Sequence, residues 1–365
     1  MIRKLSFLCL LAVFLTNFEL QAQETFTHDG IERTYLLDVP ENLAPGSPLV
    51  FVLHGYTSSA QNIRAYSGWS EISDSEGVVV CYPQGTLDFF STTHWNANLG
   101  VSETDDHGFL VALAEYLQEE YQLSPECTFS CGMSNGGFMS YSLACNEWET
   151  FKAIGSVTGS MSESDFLTCN PSTVVPVIHL HGTSDSVVDY EDGVGNNFWG
   201  TAGVEEIMSL WVDLMGTTAV AEVQLPNQET NDITSVDFIR HYGAPGGQEF
   251  HHYRVNGGDH DWFGAWGSQD VQSTEVIWEF FKNICEGAPL SVQEESFTPN
   301  LAYWNGSEFG MLQDGSVSGY DLQGRLIFQE EEIIASTRIQ GDELLKVAII
   351  QVTSKSGEQQ VIRIH

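Results

Sequence analysis

The feature that most constrains the fold of this sequence is the stretch 129–137, which reads Phe-Ser-Cys-Gly-Met-Ser-Asn-Gly-Gly. The run before it, 126–131, has strand character, and residues 138–144 after it read as a helix. Gly132 and Gly136 fit the pattern G-x-S-x-G, in which the backbones of strand and helix approach too closely for a β-carbon. The pattern predicts a sharp strand-to-helix turn that holds Ser134 in a strained, exposed position, with an ordinary tight turn as the alternative.

Short apolar runs alternate with helical patterns on both sides of this turn. The predicted strands are 33–39, 48–53, 77–82, 126–131, 154–157, 174–180, 235–242 and 250–255. The predicted helical segments are 60–74, 106–120 (capped by Asp105 or Asp106), 138–144, 203–215 and 274–285. This alternation predicts an α/β fold, a mostly parallel sheet covered by helices on both faces. Such sheets place their chemistry at the carboxyl ends of the strands.

Three residues at predicted strand ends fit a nucleophile, its base and an orienting acid. A serine hydroxyl becomes a good nucleophile when a histidine takes its proton and a carboxylate orients that histidine. Asp185 follows one predicted strand, and His260 lies in a glycine-containing loop before the last helix, so the chain order is serine, acid, histidine. The rival acid is Asp189. The rival bases, which fall inside predicted strands, are His241, His251 and His252.

Four further residues are candidates for the same site. The backbone N–H groups of Asn135, after the serine, and of Tyr56, after a predicted strand, are suited to bind a developing oxyanion. The side chains of Trp95 and Trp262 could form aromatic walls for substrate, with core packing as the equal alternative for each. This chemistry calls for no metal and no organic cofactor.

Seven short motifs carry a family resemblance. They are residues 54–60 (His-Gly-Tyr-Thr-Ser-Ser-Ala), 82–85 (Tyr-Pro-Gln-Gly), 94–96 (His-Trp-Asn), 105–109 (Asp-Asp-His-Gly-Phe), 132–137 (Gly-Met-Ser-Asn-Gly-Gly), 181–185 (His-Gly-Thr-Ser-Asp) and 257–262 (Gly-Gly-Asp-His-Asp-Trp). Together they resemble the polyhydroxybutyrate depolymerase and feruloyl esterase group of α/β-hydrolases, over about residues 26–285. The resemblance implies an extracellular carboxylic-ester hydrolase with Ser134, Asp185 and His260 as its triad. Asp259 and Phe263 stand where the family prefers glycine and proline, which puts the substrate preference in question.

The amino-terminal residues 1–22 are expected to be a signal peptide, because Arg3 and Lys4 precede an apolar run too short to span a bilayer. The expected location is therefore outside the cell or on its surface. The net charge of −37 makes nucleic acid and anionic membranes unsuitable partners.

Six cysteines follow the expected signal peptide, and export permits disulfides among them. Six cysteines allow 15 pairings that sequence alone does not separate. Pairing of Cys145 with Cys169 is preferred, because it would tie the helix after Ser134 to the loop before the next strand. Cys81 and Cys131 lie in apolar strands and are expected to be buried thiols.

From about residue 288 the sequence changes to short alternating strands. Residues 317–327 (Val-Ser-Gly-Tyr-Asp-Leu-Gln-Gly-Arg-Leu-Ile) resemble the β-sandwich sorting domains of the type IX secretion route, with the usual opening motif reduced to Thr298-Pro299-Asn300. A small carbohydrate- or surface-binding module presenting Tyr303 and Trp304 is the alternative. The predicted domains are thus a signal peptide (1–22), a catalytic domain (23–287) and a β-rich sorting domain (288–365).

The predicted function is that of a secreted serine esterase that works through an acyl-enzyme. Feruloyl or acetyl esters of plant polysaccharides are the favoured substrates, and short-chain polyester such as polyhydroxybutyrate is the alternative. A peptidase and a non-catalytic adhesin are less favoured. The expected partners are an ester-bearing polymer or small ester and the type IX secretion machinery.

Overall fold

The computed structural model describes residues 23–191, 193, 200–227 and 231–286, together with strand segments between 302 and 363. The chain divides into two compact units, 1–290 and 291–365. The expected signal peptide, the 287/288 boundary and the Thr298-Pro299-Asn300 motif lie outside the described residues. The identities given to the three predicted domains therefore remain predictions.

The first unit alternates strands and helices along the chain. Its strands are β1 (Glu24–His28), β2 (Ile31–Asp38), β3 (Leu49–Leu53), β4 (Val79–Pro83), β5 (Thr86–Leu87), β6 (Thr93–His94), β7 (Thr128–Met133), β8 (Ile154–Val157), β9 (Val177–Gly182), β10 (Ala219–Gln224), β11 (Ser235–Tyr242) and β12 (Phe250–Asn256). Its helices are α1 (Ala60–Ser67), α2 (Trp69–Glu76), α3 (Asp106–Tyr121), α4 (Asn135–Asn146), α5 (Glu163–Thr168), α6 (Val204–Met215) and α7 (Ser273–Cys285), with a 3₁₀ turn at Pro125–Cys127.

Ten of these strands form one sheet in the order β1-β2-β4-β3-β7-β8-β9-β12-β11-β10. The six central strands from β4 to β12 run parallel, and two antiparallel strands flank them on each side. The predicted mostly parallel α/β-hydrolase sheet is confirmed. Sequence reasoning missed the edge strands β1 and β10, the β5–β6 hairpin and the short helix α5.

Helices cover both faces of the sheet, which explains why its central strands are apolar throughout. Every residue of β3 and of β4 is buried. On one face Trp69 of α2 and Phe281 of α7 belong to the core, and on the other Phe109 of α3 and Phe138 of α4 do so. Burial of both faces removes the polar alternation that a half-exposed strand shows.

The caps and crosslinks settle alternatives that the sequence left open. Asp105 is the cap of α3, since its Oδ1 accepts a hydrogen bond of 2.9 Å from the N–H of Gly108. The preferred disulfide Cys145–Cys169 is confirmed and joins the end of α4 to the end of α5. A second disulfide joins Cys127 to Cys285, and Cys81 and Cys131 are buried free thiols, as expected.

The described residues of the second unit form strands in two sheets. Its strands are β13 (Ala302–Trp304), β14 (Phe309–Met311), β15 (Gly315–Tyr320), β16 (Leu326–Ile333), β17 (Arg338–Ile339), β18 (Ile349–Ser354) and β19 (Gln359–Arg363). One sheet has the order β13-β14-β17 and the other the order β16-β15-β18-β19. Within the described residues, no helix combines the length and apolar character that a membrane crossing requires.

Candidate active site

Ser134 occupies the predicted turn between β7 and α4, and its backbone is strained. Its φ of 54° and ψ of −120° lie outside the regions that non-glycine residues favour. The turn is tight because a β-carbon on Gly132 would lie 2.6 Å from the carbonyl oxygen of Leu53. Strain of this kind costs about 1–3 kcal/mol and persists where the surrounding structure enforces it. Here the N–H of Ser134 donates to the carbonyl of Val157 on the neighbouring strand, at 2.8 Å.

Asp185 and His260 meet at the same edge of the sheet. Asp185 follows β9 and His260 follows β12, and these strands are parallel neighbours. The Nδ1–H of His260 donates to Asp185 Oδ2 at 2.8 Å. Asp259 joins the loop after β12 to the loop after β9, because its Oδ1 accepts from both the N–H and the hydroxyl of Ser186 at 2.9 Å. The structure therefore brings together the predicted acid and base, which are 75 residues apart in sequence.

The carboxylate of Asp185 is buried and saturated with donors. Its Oδ1 accepts from the N–H groups of Val187 and Val188, each at 2.8 Å. Burial raises the pKa of Asp185, but the ring N–H groups of His181 and His260 outweigh burial and hold this pKa well below its usual range. The carboxylate is therefore ionised at neutral pH and can hold His260 in one tautomer.

Ser134 and His260 do not hydrogen bond each other in this structure, although each lies at a carboxyl strand end of the sheet. Catalytic hydrogen bonds are commonly loose without substrate and tighten in the complex. Three of the four rival residues have hydrogen-bond partners elsewhere. His252 contacts the hydroxyl of Tyr190 at 2.9 Å, and His251 contacts Glu249 at 2.8 Å. His241 lies within β11, and Asp189 caps its own turn by accepting from the N–H of residue 191 at 2.9 Å.

The backbone around Tyr56 is oriented by His54, whose role the sequence did not reveal. His54 is fully buried, and its Nε2 accepts from the N–H of Gly85 at 3.0 Å. Its Nδ1 therefore carries the proton and donates to the carbonyl of Gly55 at 2.8 Å. In a trans peptide the N–H points opposite to the C=O, so this bond also sets the direction of the Tyr56 N–H. A β-carbon on Gly55 would lie 3.4 Å from Ser134 Cβ, which places this peptide beside the serine.

Asn135 ties the start of α4 to the loop that carries Trp95. Its side-chain Oδ1 accepts from the N–H of Trp95 at 2.6 Å, and its Nδ2 donates to the carbonyl of Trp95 at 3.1 Å. The indole Nε1–H of Trp95 in turn donates to the carbonyl of His54 at 3.0 Å. The backbone N–H of Asn135 is the first of the helix, a group without an intrahelical partner.

Both tryptophans proposed as aromatic walls lie in the core. Trp95 is 0% exposed and Trp262 is 1% exposed. The Trp262 indole donates to Thr274 Oγ1 at 3.2 Å and lines a cavity of about 270 Å³ beside Tyr66. Their burial favours core packing, the alternative weighed for each.

Exposed apolar side chains occur instead at the tip of the β5–β6 hairpin. Leu87, Phe89 and Phe90, which we call the hairpin tip, are 60%, 68% and 73% exposed. Asp88 holds the tip in place: its Oδ2 accepts from the Tyr56 hydroxyl at 2.6 Å, and its Oδ1 accepts from the N–H of Phe90 at 2.8 Å. The signal available in the sequence was the pair of phenylalanines in a turn, a position where apolar residues are unusual.

Among the described residues, one group of three potential metal ligands occurs, formed by His28, Asp29 and Asp105. His28 Nε2 lies 3.0 Å from Asp105 Oδ2, and the other oxygen of Asp105 caps α3. A histidine paired with a helix-capping carboxylate accounts for this arrangement without an ion.

A strained serine at a strand-to-helix turn, with an acid–histidine pair at the same edge of a mostly parallel sheet, defines a serine hydrolase of the α/β-hydrolase fold. A sequence profile of the family described as "Putative esterase" matches residues 31–237, more than half of the chain. The chain therefore belongs to this esterase family.

The chain is similar to two proteins that are named as esterases and to one solved structure. The chain is 25% identical over 265 residues to the "Bifunctional acetylxylan esterase/xylanase XynS20E" of Neocallimastix patriciarum, covering 72% of this chain and 35% of that protein. It is 25% identical over 258 residues to the "Probable feruloyl esterase C" of Aspergillus niger, covering 68% of this chain and 83% of that protein. The solved structure "Acetyl xylan esterase from Aspergillus awamori" is similar at a TM-score of 0.49 and 15% identity, covering 66% of this chain and 94% of that one.

Proposed function

We propose that Ser134, Asp185 and His260 are the catalytic triad and that hydrolysis proceeds through an acyl-enzyme. The observation that carries this proposal is the 2.8 Å bond between His260 Nδ1 and the buried Asp185 carboxylate, at the sheet edge where Ser134 lies. Since Nδ1 holds the proton, Nε2 is left as the base that receives the proton of the Ser134 hydroxyl.

The proposed reaction has two halves. In the first, Ser134 Oγ attacks the ester carbonyl, His260 Nε2 takes the serine proton and then gives it to the leaving alcohol. In the second, His260 removes a proton from water, which attacks the acyl-serine, and His260 returns this proton to Ser134 Oγ as the acid is released. The N–H groups of Tyr56 and Asn135 bind the oxyanion in both halves, a contribution of about 3 kcal/mol for each donor.

For the substrate we propose an ester of plant polysaccharide, with a feruloyl group favoured over acetyl. The names of the relatives support esters of this kind. The hairpin tip adds a physical reason, because a planar aromatic acid offers apolar surface for Phe89 and Phe90 and an acetyl group offers very little. The tip lies next to the oxyanion loop through the Tyr56–Asp88 hydrogen bond. A short-chain polyester is the alternative, since the same tip suits an apolar polymer surface.

Substitution of the hairpin tip tests the substrate. We expect the double change Phe89→Ser and Phe90→Ser to lower kcat/KM for methyl ferulate about tenfold while changing that for methyl acetate less than twofold. Ile233→Ser, which removes a 92% exposed side chain elsewhere, serves as the matched control. Rates on methyl ferulate, acetylated xylan and polyhydroxybutyrate granules, measured side by side, identify the preferred class. Equal losses on methyl ferulate and methyl acetate would contradict the aromatic preference.

We further propose that residues 1–22 direct export and that the second unit is a type IX sorting domain. A peptidase or a non-catalytic adhesin is not favoured by any described feature, and the triad side chains are all present. Loss of secretion on deletion of 291–365 in a host with that export route would support the sorting role, and unchanged secretion would exclude it.

The triad itself is tested by Ser134→Ala. We expect turnover of p-nitrophenyl acetate to fall at least about a thousandfold, because triad residues act as one unit. The melting temperature should not fall, since a helix start with φ of 54° is no better suited to serine than to alanine. Undiminished turnover by Ser134→Ala would remove the assignment.

A further inference from the structure

A second histidine reaches the catalytic acid from inside the protein. His181, the fifth residue of β9, is 0% exposed, and its Nε2 lies 3.2 Å from Asp185 Oδ2, the same oxygen that His260 contacts. The same Nε2 lies 2.8 Å from the carbonyl oxygen of Val188. One ring nitrogen therefore meets both ends of the loop 185–188, which carries the acid.

The proton positions behind His181 follow from its partners. Both neighbours of His181 Nε2 are acceptors, so Nε2 carries the proton. The hydroxyl of Tyr141 donates to Nδ1 of His179 at 2.8 Å, so His179 carries its proton on Nε2. This Nε2–H donates to Nδ1 of His181 at 3.1 Å, which makes Nδ1 of His181 an acceptor. Each donor in this series faces the next acceptor on the way to the loop 185–188, where the Val188 carbonyl accepts from His181 Nε2.

Burial and ring stacking keep the hydrogen bonds from Tyr141 through His179 to His181 in one arrangement of protons. Tyr141 and His179 are 0% exposed. Burial holds the pKa of His179 well below its usual value and that of Tyr141 well above, so the imidazole is neutral and the phenol keeps its proton. The two imidazole rings stack with their centroids 5.3 Å apart and their planes 7° apart, which leaves little freedom for either to flip.

We propose that His181 is a positioning residue for catalysis, which holds the acid loop and the Asp185 carboxylate so that His260 is presented in a single orientation. The proposal rests on the function proposed above, since it assigns His181 a role through Asp185 and His260. The chain from Tyr141 through His179 fixes the tautomer that lets His181 donate. His181 touches neither substrate nor serine in this role, and it acts on the rate of the chemical step rather than on binding.

The test compares three variants of the full-length protein. His181→Leu removes the donor, His181→Gln restores an N–H near the position of Nε2, and His252→Leu removes a neighbouring buried imidazole that does not contact Asp185. We expect His181→Leu to lower kcat on p-nitrophenyl acetate about 10- to 100-fold, the size of one lost hydrogen bond to a charged group, with KM changed less than about twofold. We expect His181→Gln to recover most of the loss. We expect His252→Leu to stay within about threefold of wild type when both are assayed well below their melting temperatures.

The pH profile provides a readout that a purely structural role would not move. The charged and titratable groups facing Asp185 are His181 on β9 and Asp259, His260 and Asp261 on the loop after β12. Loss of His181 removes one of the two side-chain donors that offset the burial of Asp185, so the pKa of this carboxyl rises. The titration of the Asp185 carboxyl, followed by ¹³C NMR, should therefore move to higher pH in His181→Leu and back again in His181→Gln.

If His181→Leu does not fold, ¹⁵N NMR of the wild-type histidines still decides the matter: we expect the Nε2–H tautomer for both His181 and His179. An Nδ1–H tautomer of His181, wild-type kcat in His181→Leu, or an equal loss in His252→Leu would each overturn the proposal. The Ser134→Ala variant separates failure of the proposed triad from failure of the role proposed for His181. An active Ser134→Ala removes the proposed triad, whereas an inactive Ser134→Ala with a fully active His181→Leu removes only the role of His181.

Discussion

Acidification should destabilise the protein through His54, the buried histidine that orients the peptide beside Ser134. Burial lowers the pKa of His54 from 6.5 to about 4, and the bond to the Gly55 carbonyl, which raises this pKa, offsets burial only in part. In the unfolded chain the ring takes up a proton near pH 6.5, whereas the folded protein resists protonation down to about pH 4. Between these values the unfolded state binds more protons, so stability falls as the pH falls.

The expected size follows from the shift. Each unit of pKa corresponds to about 1.4 kcal/mol, so the contribution of His54 is complete above about pH 6.5 and about 3 kcal/mol of it is lost by pH 4. This is a large part of the total of about 5–15 kcal/mol that is typical of folded proteins. Because His54 is 0% exposed, solvent does not screen the effect.

Urea unfolding of wild type and of His54→Gln, at half-unit steps from pH 7 to pH 4.5, measures the effect. The difference in unfolding free energy between the two proteins should shrink by about 1.4 kcal/mol per pH unit as the pH falls. Taking the difference cancels the titration of the other buried groups and the relief of repulsion in this acidic chain. His54→Asn packs differently but also lacks a titrating ring, so it must give the same slope. A difference that does not change with pH would show that His54 is not buried in its neutral form.

Two further predictions concern Asn135, which follows Ser134 at the turn, and the two disulfides. Asn135→Ala, which loses both hydrogen bonds to the Trp95 backbone, should lower kcat about 10- to 100-fold, and Asn135→Asp, which keeps the acceptor, should lose less; steady-state kinetics at matched folded fractions decide. Paired serine replacements should destabilise by about 3 kcal/mol for Cys145–Cys169, which are 24 residues apart, and by about 5 kcal/mol for Cys127–Cys285, which are 158 residues apart. Urea unfolding under non-reducing conditions checks this order, and a reversed order would show that loop closure does not govern these crosslinks.

Much of the fold was predictable because the signals are local. The strand Ile154–Val157 and the strand Ser235–Tyr242 were predicted at their observed bounds. The edge strand β10 was missed because most of its residues are exposed or partly exposed, so it lacks the apolar run that marked the central strands. The strand β1 is short and polar and is recognisable only through its pairing with β2.

The candidate active site likewise has features that the sequence predicts and features that it does not. The turn at Ser134 was predictable, because Gly132 approaches Leu53 so closely that only glycine fits. The G-x-S-x-G pattern places a glycine at this position. The roles of Trp95 and Trp262 were not predictable, since a tryptophan at a strand end has the same sequence signature whether its ring packs inward or lines a pocket. The structure places both rings inward and leaves the exposed surface to the hairpin tip.

The amino-acid sequence by itself determined the class of fold, the serine turn and the order in which Ser134, Asp185 and His260 occur along the chain. Each of these depends on residues that are close together or on a repeating pattern. Only the tertiary structure decided that His54 orients the peptide between Gly55 and Tyr56 and that His181 and His260 both lie within 3.2 Å of one oxygen of Asp185. Parallel strands that are neighbours in the sheet come from distant parts of the sequence, so contacts between their ends are set by the way the sheet is assembled.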